Sequence, residues 1–169
     1  MSTSDLVKEV FNALDDGDYD IVSANLDRDF KFSGPTPNPI GKQEFIAFER
    51  ALRRAMPDLK HNCSVLWEGK ESEARGEVRV TGTHQNVLDL SYVPKVEATS
   101  KRVKLPTERW TARVKNGRIV SFAAEVGPDG GLLGILKQIG REDLADCLRT
   151  KGGDCRIYEE SKSMGLHTF

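Results

Sequence analysis

Apolar residues recur at helical intervals in the first part of the chain, which predicts three helices. In the second of them, Ile21 and Val22 are the expected buried residues. The apolar stripes of the first and third are Leu6, Val10, Phe11 and Leu14, and Phe45, Phe48, Leu52 and Met56. The predicted helices run from Ser4, as N-cap, to the Asp-Asp-Gly-Asp turn at 15–18, across residues 19–26, and from Gly41 to Pro57.

From residue 60 onward the period changes to alternation of apolar and polar residues, which indicates strands with one buried face. A shorter alternating stretch covers residues 29–33. The turn Lys115-Asn116-Gly117-Arg118 predicts a hairpin, because Asn-Gly tolerates the positive φ angles of a type I′ turn. The four strands predicted for this meander are residues 60–69, 72–83, 101–115 and 118–126.

Two further segments complete the prediction. Residues between His84 and Ser100 are less regular and are expected to cover one end of the sheet. Residues 127–131 turn the chain into a last helix that carries Leu132, Leu133, Leu136 and Ile139. Because the helices are segregated from the hairpin-linked strands, the pattern is typical of an α+β fold. We expect a single domain over residues 1–150 and a tail over residues 151–169.

Composition narrows the range of partners. A hydrophobic fraction of 38% with 30% charged residues is normal for a globular protein of 169 residues. The 25 Lys and Arg residues nearly balance the 26 Asp and Glu residues, so neither nucleic acid nor an anionic membrane is an expected partner. No apolar run approaches the roughly 20 residues that span a bilayer.

The cysteine pattern gives a prediction about compartment. Cys63, Cys147 and Cys155 show no Cys-x-x-Cys spacing, so neither a disulfide framework nor a zinc site is expected. The N-terminus Met-Ser-Thr-Ser-Asp also lacks the basic segment and apolar core of a secretory signal. Reduced thiols in a cytoplasmic protein are therefore the expectation.

Four motifs in this order resemble the SnoaL-like polyketide cyclases of the nuclear transport factor 2-like superfamily. The resemblance covers roughly residues 5–140 and implies a cone-shaped, curved antiparallel sheet wrapped by N-terminal helices, a fold also described as cystatin-like. The motifs are Met-Pro-Asp-Leu at 56–59, Val-Thr-Gly-Thr-His at 80–84, Arg-Val-Lys-Asn-Gly-Arg-Ile-Val at 113–120, and Gly-Leu-Leu at 131–133 with Lys-Gln-Ile-Gly at 137–140.

The resemblance also implies a ligand pocket, frequent homodimers packed through the sheet, and no cofactor. SnoaL-like cyclases close a polyketide ring by an intramolecular aldol reaction, in which a pocket carboxylate takes the proton next to a carbonyl group. In the family pattern that carboxylate, and a histidine two residues before it, lie on the strand after the hairpin. Here the matching residues are Ala124 and Phe122, and neither transfers protons. Glu125 is adjacent but belongs to the other face unless a bulge turns it inward.

Alternation along the strands predicts which residues line the concave side of the sheet. Val120, Phe122, Ala124 and Val126 mark the buried face of the last strand. Counting by twos along the neighbouring predicted strands places more side chains on this inner face. They are Glu108 and Trp110 on the third long strand, His84 just past the end of the second, and His61 and Trp67 on the first. Glu108 is then a candidate general base, and His84 a candidate proton donor or oxyanion partner. The candidate ligand-binding residues are Trp67, Trp110, Phe122, His61, Phe45 and Ala124.

Structural roles compete with each of these assignments. His84 could cap a turn or meet solvent, and Glu108 could pair with a neighbouring arginine. His61 could be exposed near a strand start, while Trp67 and Trp110 could be ordinary core residues. Two functions follow. The first is the binding of a small hydrophobic molecule, with cofactor-free cyclase or isomerase chemistry on a carbonyl compound. The second is a non-catalytic ligand carrier, or a module for protein docking or dimerisation.

Overall fold

The computed structural model describes residues 1–70, 72–151 and 154–156, in which five helices and eight strands form. The helices are α1 (Thr3–Asp16), α2 (Tyr19–Asn25), α3 (Lys42–Ala55), α4 (Gly131–Gln138) and α5 (Glu142–Lys151). The strands are β1 (Leu26–Ser33), β2 (Ile40–Gly41), β3 (Ser64–Glu68), β4 (Glu73–Val78), β5 (Thr81–Thr83), β6 (Arg102–Lys104), β7 (Glu108–Lys115) and β8 (Arg118–Glu125). The three predicted N-terminal helices are confirmed.

Two details of the helix predictions were wrong: the N-cap of α1 and one buried residue of α2. The N-cap of α1 is Ser2 rather than Ser4, since the Ser2 hydroxyl accepts the backbone N–H of Asp5 at 3.0 Å. In α2, Val22 is fully buried but Ile21 is 38% exposed, so the prediction that Ile21 is buried was wrong. Consecutive residues of a helix point about 100° apart, and a helix this short buries only one narrow stripe.

Six strands form the main sheet in the order β2-β1-β8-β7-β4-β3. All neighbouring pairs are antiparallel except β1 and β8, which are parallel. The predicted hairpin between β7 and β8 is confirmed, with φ of 52° at Asn116 and 74° at Gly117. Both angles are those of a type I′ turn.

Two of the predicted long strands are each broken into two. Residues 72–83 become β4 and β5, and residues 101–115 become β6 and β7, while β5 and β6 pair as a separate two-stranded sheet. Pro106 lies in the second break and has no N–H to donate to the ladder. The meander therefore changes sheets at the end where α4 and the segment 84–100 pack.

The shared inner face of β7 and β8 is confirmed. Trp110 is 2% exposed and Phe122 is 5% exposed. Their rings stack with centroids 5.2 Å apart and an interplanar angle of 28°. Val120 is an extra residue on β8 where the pairing with β7 shifts, so Ile119, 2% exposed, points into the core and Val120 is half-buried. The prediction that Val120 marks the buried face was wrong. The concave side of the sheet is thus apolar where the parity argument placed it.

Strand β3 departs from the predicted parity. Its pairing with β4 shifts between Val65 and Trp67, so Leu66 is an extra residue on β3. A bulge of this kind reverses the direction of every later side chain. Trp67 is consequently 49% exposed, with the Arg75 guanidinium 4.9 Å from its ring centroid. The predicted inward position of Trp67 was wrong.

The C-terminal part contains an unpredicted helix and a disulfide. Helix α5 follows α4, and Cys147 on α5 is bonded to Cys155, which contradicts the prediction of reduced thiols for this pair. The Cys155 N–H donates to the carbonyl of Tyr92 at 2.7 Å, which ties this end to the segment 84–100. Cys63 is a free thiol. Most of the predicted tail, residues 152–153 and 157–169, lies outside the described residues.

The helices in the described part of the chain are all too short or too polar to cross a membrane.

Candidate functional site

An apolar cavity lies where helices α1, α3 and α4 cover the concave side of the sheet. About 40 Å³ is open to the centres of water molecules inside it, which is room for a few waters. Glu49, His61 and Glu108 are the charged or polar side chains of its wall. The apolar residues around them are Phe11, Phe32, Pro35, Phe48, Leu52, Val78, Val80, Leu105, Phe122, Ala124, Gly131, Leu132 and Ile135.

His61 is held between two carboxylates. Its Nδ1 lies 2.7 Å from Asp15 Oδ1, and its Nε2 lies 2.9 Å from Glu49 Oε2. The backbone N–H of His61 also donates to Asp15 Oδ1 at 3.1 Å. The Phe11 ring packs edge-on at 5.3 Å between centroids. The imidazole is therefore fixed in position and orientation although it precedes β3 rather than belonging to it.

The two carboxylates determine the charge of this histidine. Burial alone would lower the pKa of His61, but Glu49 and Asp15 outweigh it through charge and hydrogen bonding and raise the pKa to about 10. His61 is then an imidazolium ion at neutral pH, with both ring N–H groups engaged. It does not serve as a free proton donor or base, and the prediction that it lines the pocket holds only for its position.

Glu108 enters the wall of the same cavity from the first residue of β7. It is 4% exposed, and its Oε2 accepts the backbone N–H of Gly131 at 2.9 Å. Burial raises the pKa of Glu108, and the hydrogen bond from Gly131 opposes that rise only partly. The structure thus gives Glu108 a buried carboxyl group without the arginine partner considered from the sequence: no ion pair to it occurs within the described residues.

His84 is buried but lies away from the cavity wall. It is 1% exposed, and the backbone N–H of Thr99 donates to its Nδ1 at 3.3 Å, with the Thr99 hydroxyl 2.9 Å away. Burial lowers the pKa of His84, which favours the neutral ring. The ring therefore fastens the segment 84–100. The predicted meeting of His84 and Glu108 in one pocket is not found.

The other predicted ligand-binding residues divide into wall and core. Phe122 and Ala124 line the cavity. Trp110 lies beneath Phe122, and Phe45 packs against Phe30 and Phe32 with centroids 5.2 and 4.6 Å apart, so both are core residues. Trp67 is on the outside. Three of the six predicted residues therefore line the cavity. Phe122 and Ala124 come from the sheet, and His61 comes from the loop before β3.

Sequence reasoning missed Asp15 and Glu49. Glu49 follows Phe45 by four residues and precedes Leu52 by three, so it occupies a buried position of the α3 stripe. A carboxylate at such a position is a sequence signal for a buried partner, although it does not identify His61. Asp15 belongs to a turn sequence, and nothing local distinguishes it from its neighbour Asp16.

No metal site competes for these groups: among residues 1–70, 72–151 and 154–156, no three His, Cys, Asp or Glu side chains are arranged to hold a metal ion.

Comparison with known proteins gives one family and several similar structures. The model of the SnoaL-like domain matches residues 7–122, and no curated protein matches the chain. A candidate polyketide cyclase from Pseudomonas putida KT2440 is 20% identical with a TM-score of 0.63, over 82% of this chain and 98% of that chain. AclR, a candidate hydroxylase from Streptomyces galilaeus, is 18% identical with a TM-score of 0.63, over 82% and 96%.

A third similar structure is an NTF2-like protein of unknown function from Cytophaga hutchinsonii. It is 17% identical with a TM-score of 0.53, over 76% of this chain and 92% of that chain. At these identities the likeness shows the fold, and the reaction must be argued from the cavity itself.

Proposed function

Because the chain belongs to the SnoaL-like family, we propose that its cavity binds a small, mainly apolar carbonyl compound and that Glu108 exchanges a proton with it without a cofactor. The chain has the nuclear transport factor 2-like α+β fold of that family. The observation that carries the proposal is the buried Glu108 carboxyl group in a mainly apolar wall, without an ion-pair partner among the described residues and with its pKa raised by desolvation. A carboxyl group in this setting is suited to proton exchange near neutral pH.

The position of Glu108 supports this assignment. Ala124, at the family's carboxylate position, pairs with Trp110 on β7, and Glu108 is two residues from Trp110 on the same face. Diagonal neighbours of this kind are roughly 7–8 Å apart. Glu125 is exposed, so the bulge that would have turned it inward is absent at this point of β8. The carboxyl group that the sheet contributes to the pocket therefore lies on the adjacent strand, β7.

The free volume of the cavity restricts the ligand. Space for a few water molecules corresponds to a single small ring rather than a folded polyketide chain. A six-membered cyclic ketone combines that size with the apolar lining and with one oxygen for Glu108. Cyclohexanone is accordingly the probe that we use for both binding and proton exchange.

The Glu108→Gln variant is expected to lose proton exchange while retaining the fold. In D₂O, wild-type protein should accelerate replacement of the hydrogens next to the cyclohexanone carbonyl, and the variant should be slower by about 100-fold or more. Proton NMR measures the exchange rate, and saturable shift changes measure binding. Glu125→Gln, on the exposed side of β8, is the matched control and should behave as wild type. Equal rates for Glu108→Gln and wild type would refute the role of Glu108.

A different observation favours a second role, a homodimer. Leu66 and Trp67 are 65% and 49% exposed, and both lie on β3 at the edge of the main sheet. Neighbouring exposed apolar side chains of this size mark interaction surfaces. We propose that a second copy of the chain covers them. Native mass spectrometry should show a dimer for wild type and a monomer for Leu66→Lys, and it reports co-purified ligand as well. A dimer that survives Leu66→Lys contradicts this location.

A further inference from the structure

Glu49 brings a second carboxyl group to the same cavity, and the proposed function does not yet use it. Building on that function, we propose that Glu49 is the general base that removes the proton next to the ligand carbonyl group. Glu108 then donates a proton to the carbonyl oxygen. His61 and Asp15 are positioning residues, since they act on the ligand only through Glu49.

The contacts of Glu49 leave one oxygen for a ligand. Glu49 is 5% exposed, and its Oε2 is bound to His61 Nε2 at 2.9 Å. Among the described residues, no donor reaches its other oxygen, Oε1. Since Glu49 is part of the cavity wall, this oxygen is assigned to the contact with a bound molecule in the proposed step.

The two carboxyl groups differ in surroundings, and the difference assigns their roles. Glu49 forms an ion pair with the His61 imidazolium ion, with 2.9 Å between Oε2 and Nε2. The apolar wall around Glu108 favours its neutral form, and the single hydrogen bond from the Gly131 N–H opposes this only partly. A carboxyl group paired with a cation and a second one set among apolar side chains of the same cavity are suited to serve as base and acid. Glu49 on helix α3 and Glu108 at the start of strand β7 line the same cavity, and in the proposed step the ligand ring lies between them.

Asp15 provides His61 with a second counter-ion besides Glu49. Before reaction, the cluster of Asp15, His61 and Glu49 holds two negative charges and one positive charge. After Glu49 accepts a proton, His61 keeps Asp15 as its counter-ion, so no buried cation is left unpaired. Asp15 is itself held in place. Its Oδ1 accepts hydrogen bonds from the backbone N–H and the Nδ1–H of His61, and its backbone carbonyl oxygen accepts a hydrogen bond from the Arg53 guanidinium.

The proposed step balances as an enolisation. The electron pair of the broken C–H bond forms the carbon–carbon double bond, and the carbonyl π electrons move to oxygen. The oxygen takes the proton of Glu108, while Glu49 holds the proton from carbon. The products are an enol, a neutral Glu49 and an ionised Glu108. Reversal after exchange of the Glu49 proton with D₂O delivers deuterium to carbon, so the substrate class is an enolisable ketone.

The test measures cyclohexanone exchange in D₂O and cyclohexanone binding for Glu49→Gln, Glu49→Asp and Asp15→Asn beside wild type. Glu49→Gln is expected to lower the exchange rate at saturating ketone by about 100-fold, with the dissociation constant unchanged within about twofold. Glu49→Asp restores part of the rate because it retains a carboxylate. Asp15→Asn should lower the rate less than Glu49→Gln, again without weakening binding. Circular dichroism confirms the fold of each variant.

The outcomes separate this inference from the proposed function. Wild-type rates in Glu49→Gln, with Glu108→Gln inactive, overturn the role of Glu49 and leave the proposed function standing. Loss of binding in parallel with loss of exchange assigns Glu49 a structural role only and also overturns it. If Glu49→Gln does not fold, the double variant His61→Leu with Glu49→Leu takes its place, since it removes the carboxyl group without leaving a buried charge unpaired, and a wild-type exchange rate in it overturns the role of Glu49. Wild-type protein that does not accelerate exchange overturns both proposals.

Discussion

Replacing His61 with leucine is expected to destabilise the protein by about 3–5 kcal/mol at pH 7. The substitution removes the cation that Asp15 and Glu49 share at 2.7 and 2.9 Å. The Glu49 carboxylate, 5% exposed, then stays buried without that counter-ion. Breaking one partner out of a buried ion pair costs far more than the pair contributes, because the remaining charge is left desolvated. Urea unfolding followed by circular dichroism measures the change in the free energy of unfolding.

The same substitution is expected to change the pH dependence of stability. The pKa of His61 rises from 6.5 to about 10 on folding, so the folded state binds the imidazole proton more tightly. This contribution is complete below pH 6.5 and disappears as the pH rises through about 10. Wild-type stability should therefore fall across that window more steeply than that of His61→Leu. Burial raises the pKa of Cys63 to about 12, which adds a fall above pH 9 in both proteins equally.

The double variant His61→Leu with Glu49→Leu is the control for this explanation. It replaces the buried ion pair with two apolar side chains and leaves Asp15, whose side chain is 20% exposed, in contact with water. Stability close to wild type is expected, because apolar replacement of a whole buried pair is often neutral. A double variant no more stable than His61→Leu contradicts the charge explanation and indicates a packing loss instead.

The fold was predictable from the sequence because its signals are local and repeat. The stripes of α1 and α3, the Asn116-Gly117 turn and the alternation around Trp110 and Phe122 each specify a direction for several side chains at once. Helix α5 was missed because residues 141–150 were counted in the domain without an assigned element, although Leu144 and Leu148 recur there at helical spacing. The disulfide was missed because a sequence separation of eight between Cys147 and Cys155 matches no known spacing motif. Three-dimensional proximity alone brings them together.

The cavity was predictable only in part, and the reason is geometric. The alternation of side chains along a strand correctly placed Glu108 and Phe122 on the cavity side, because the pairing of β7 and β8 is regular around them. It failed for His84, which lies beyond the break between β4 and β5. Asp15 and Glu49 come from helices, and their meeting with His61 depends on how α1 and α3 pack on the sheet. No alternation rule along a strand contains that information.

The two tryptophans allow an experimental test of the alternation argument. Alternation placed both side chains on the inner face, but in the structure only Trp110 is buried and Trp67 is half-exposed. Trp110→Ala is expected to destabilise the protein by about 3–5 kcal/mol, as for other large core truncations. The indole is 2% exposed, stacks on Phe122 at 5.2 Å and covers Gly76, where a Cβ atom would lie 2.5 Å from its ring. Truncation leaves a cavity that a glycine and a sheet backbone do not fill. Urea unfolding by circular dichroism gives the difference.

Trp67→Ala is the matched comparison, because the same substitution is made on the bulged strand. The Trp67 side chain is 49% exposed, and its main contact is the Arg75 guanidinium 4.9 Å from the ring centroid. An exposed cation–π contact is worth about 0.5–1 kcal/mol, so the monomer should lose no more than that. Protein concentration must be kept below that at which any dimer forms, since dimer contacts add to the measured stability. Equal losses for the two variants would show that β3 has no bulge at Leu66 and that Trp67 is buried in solution.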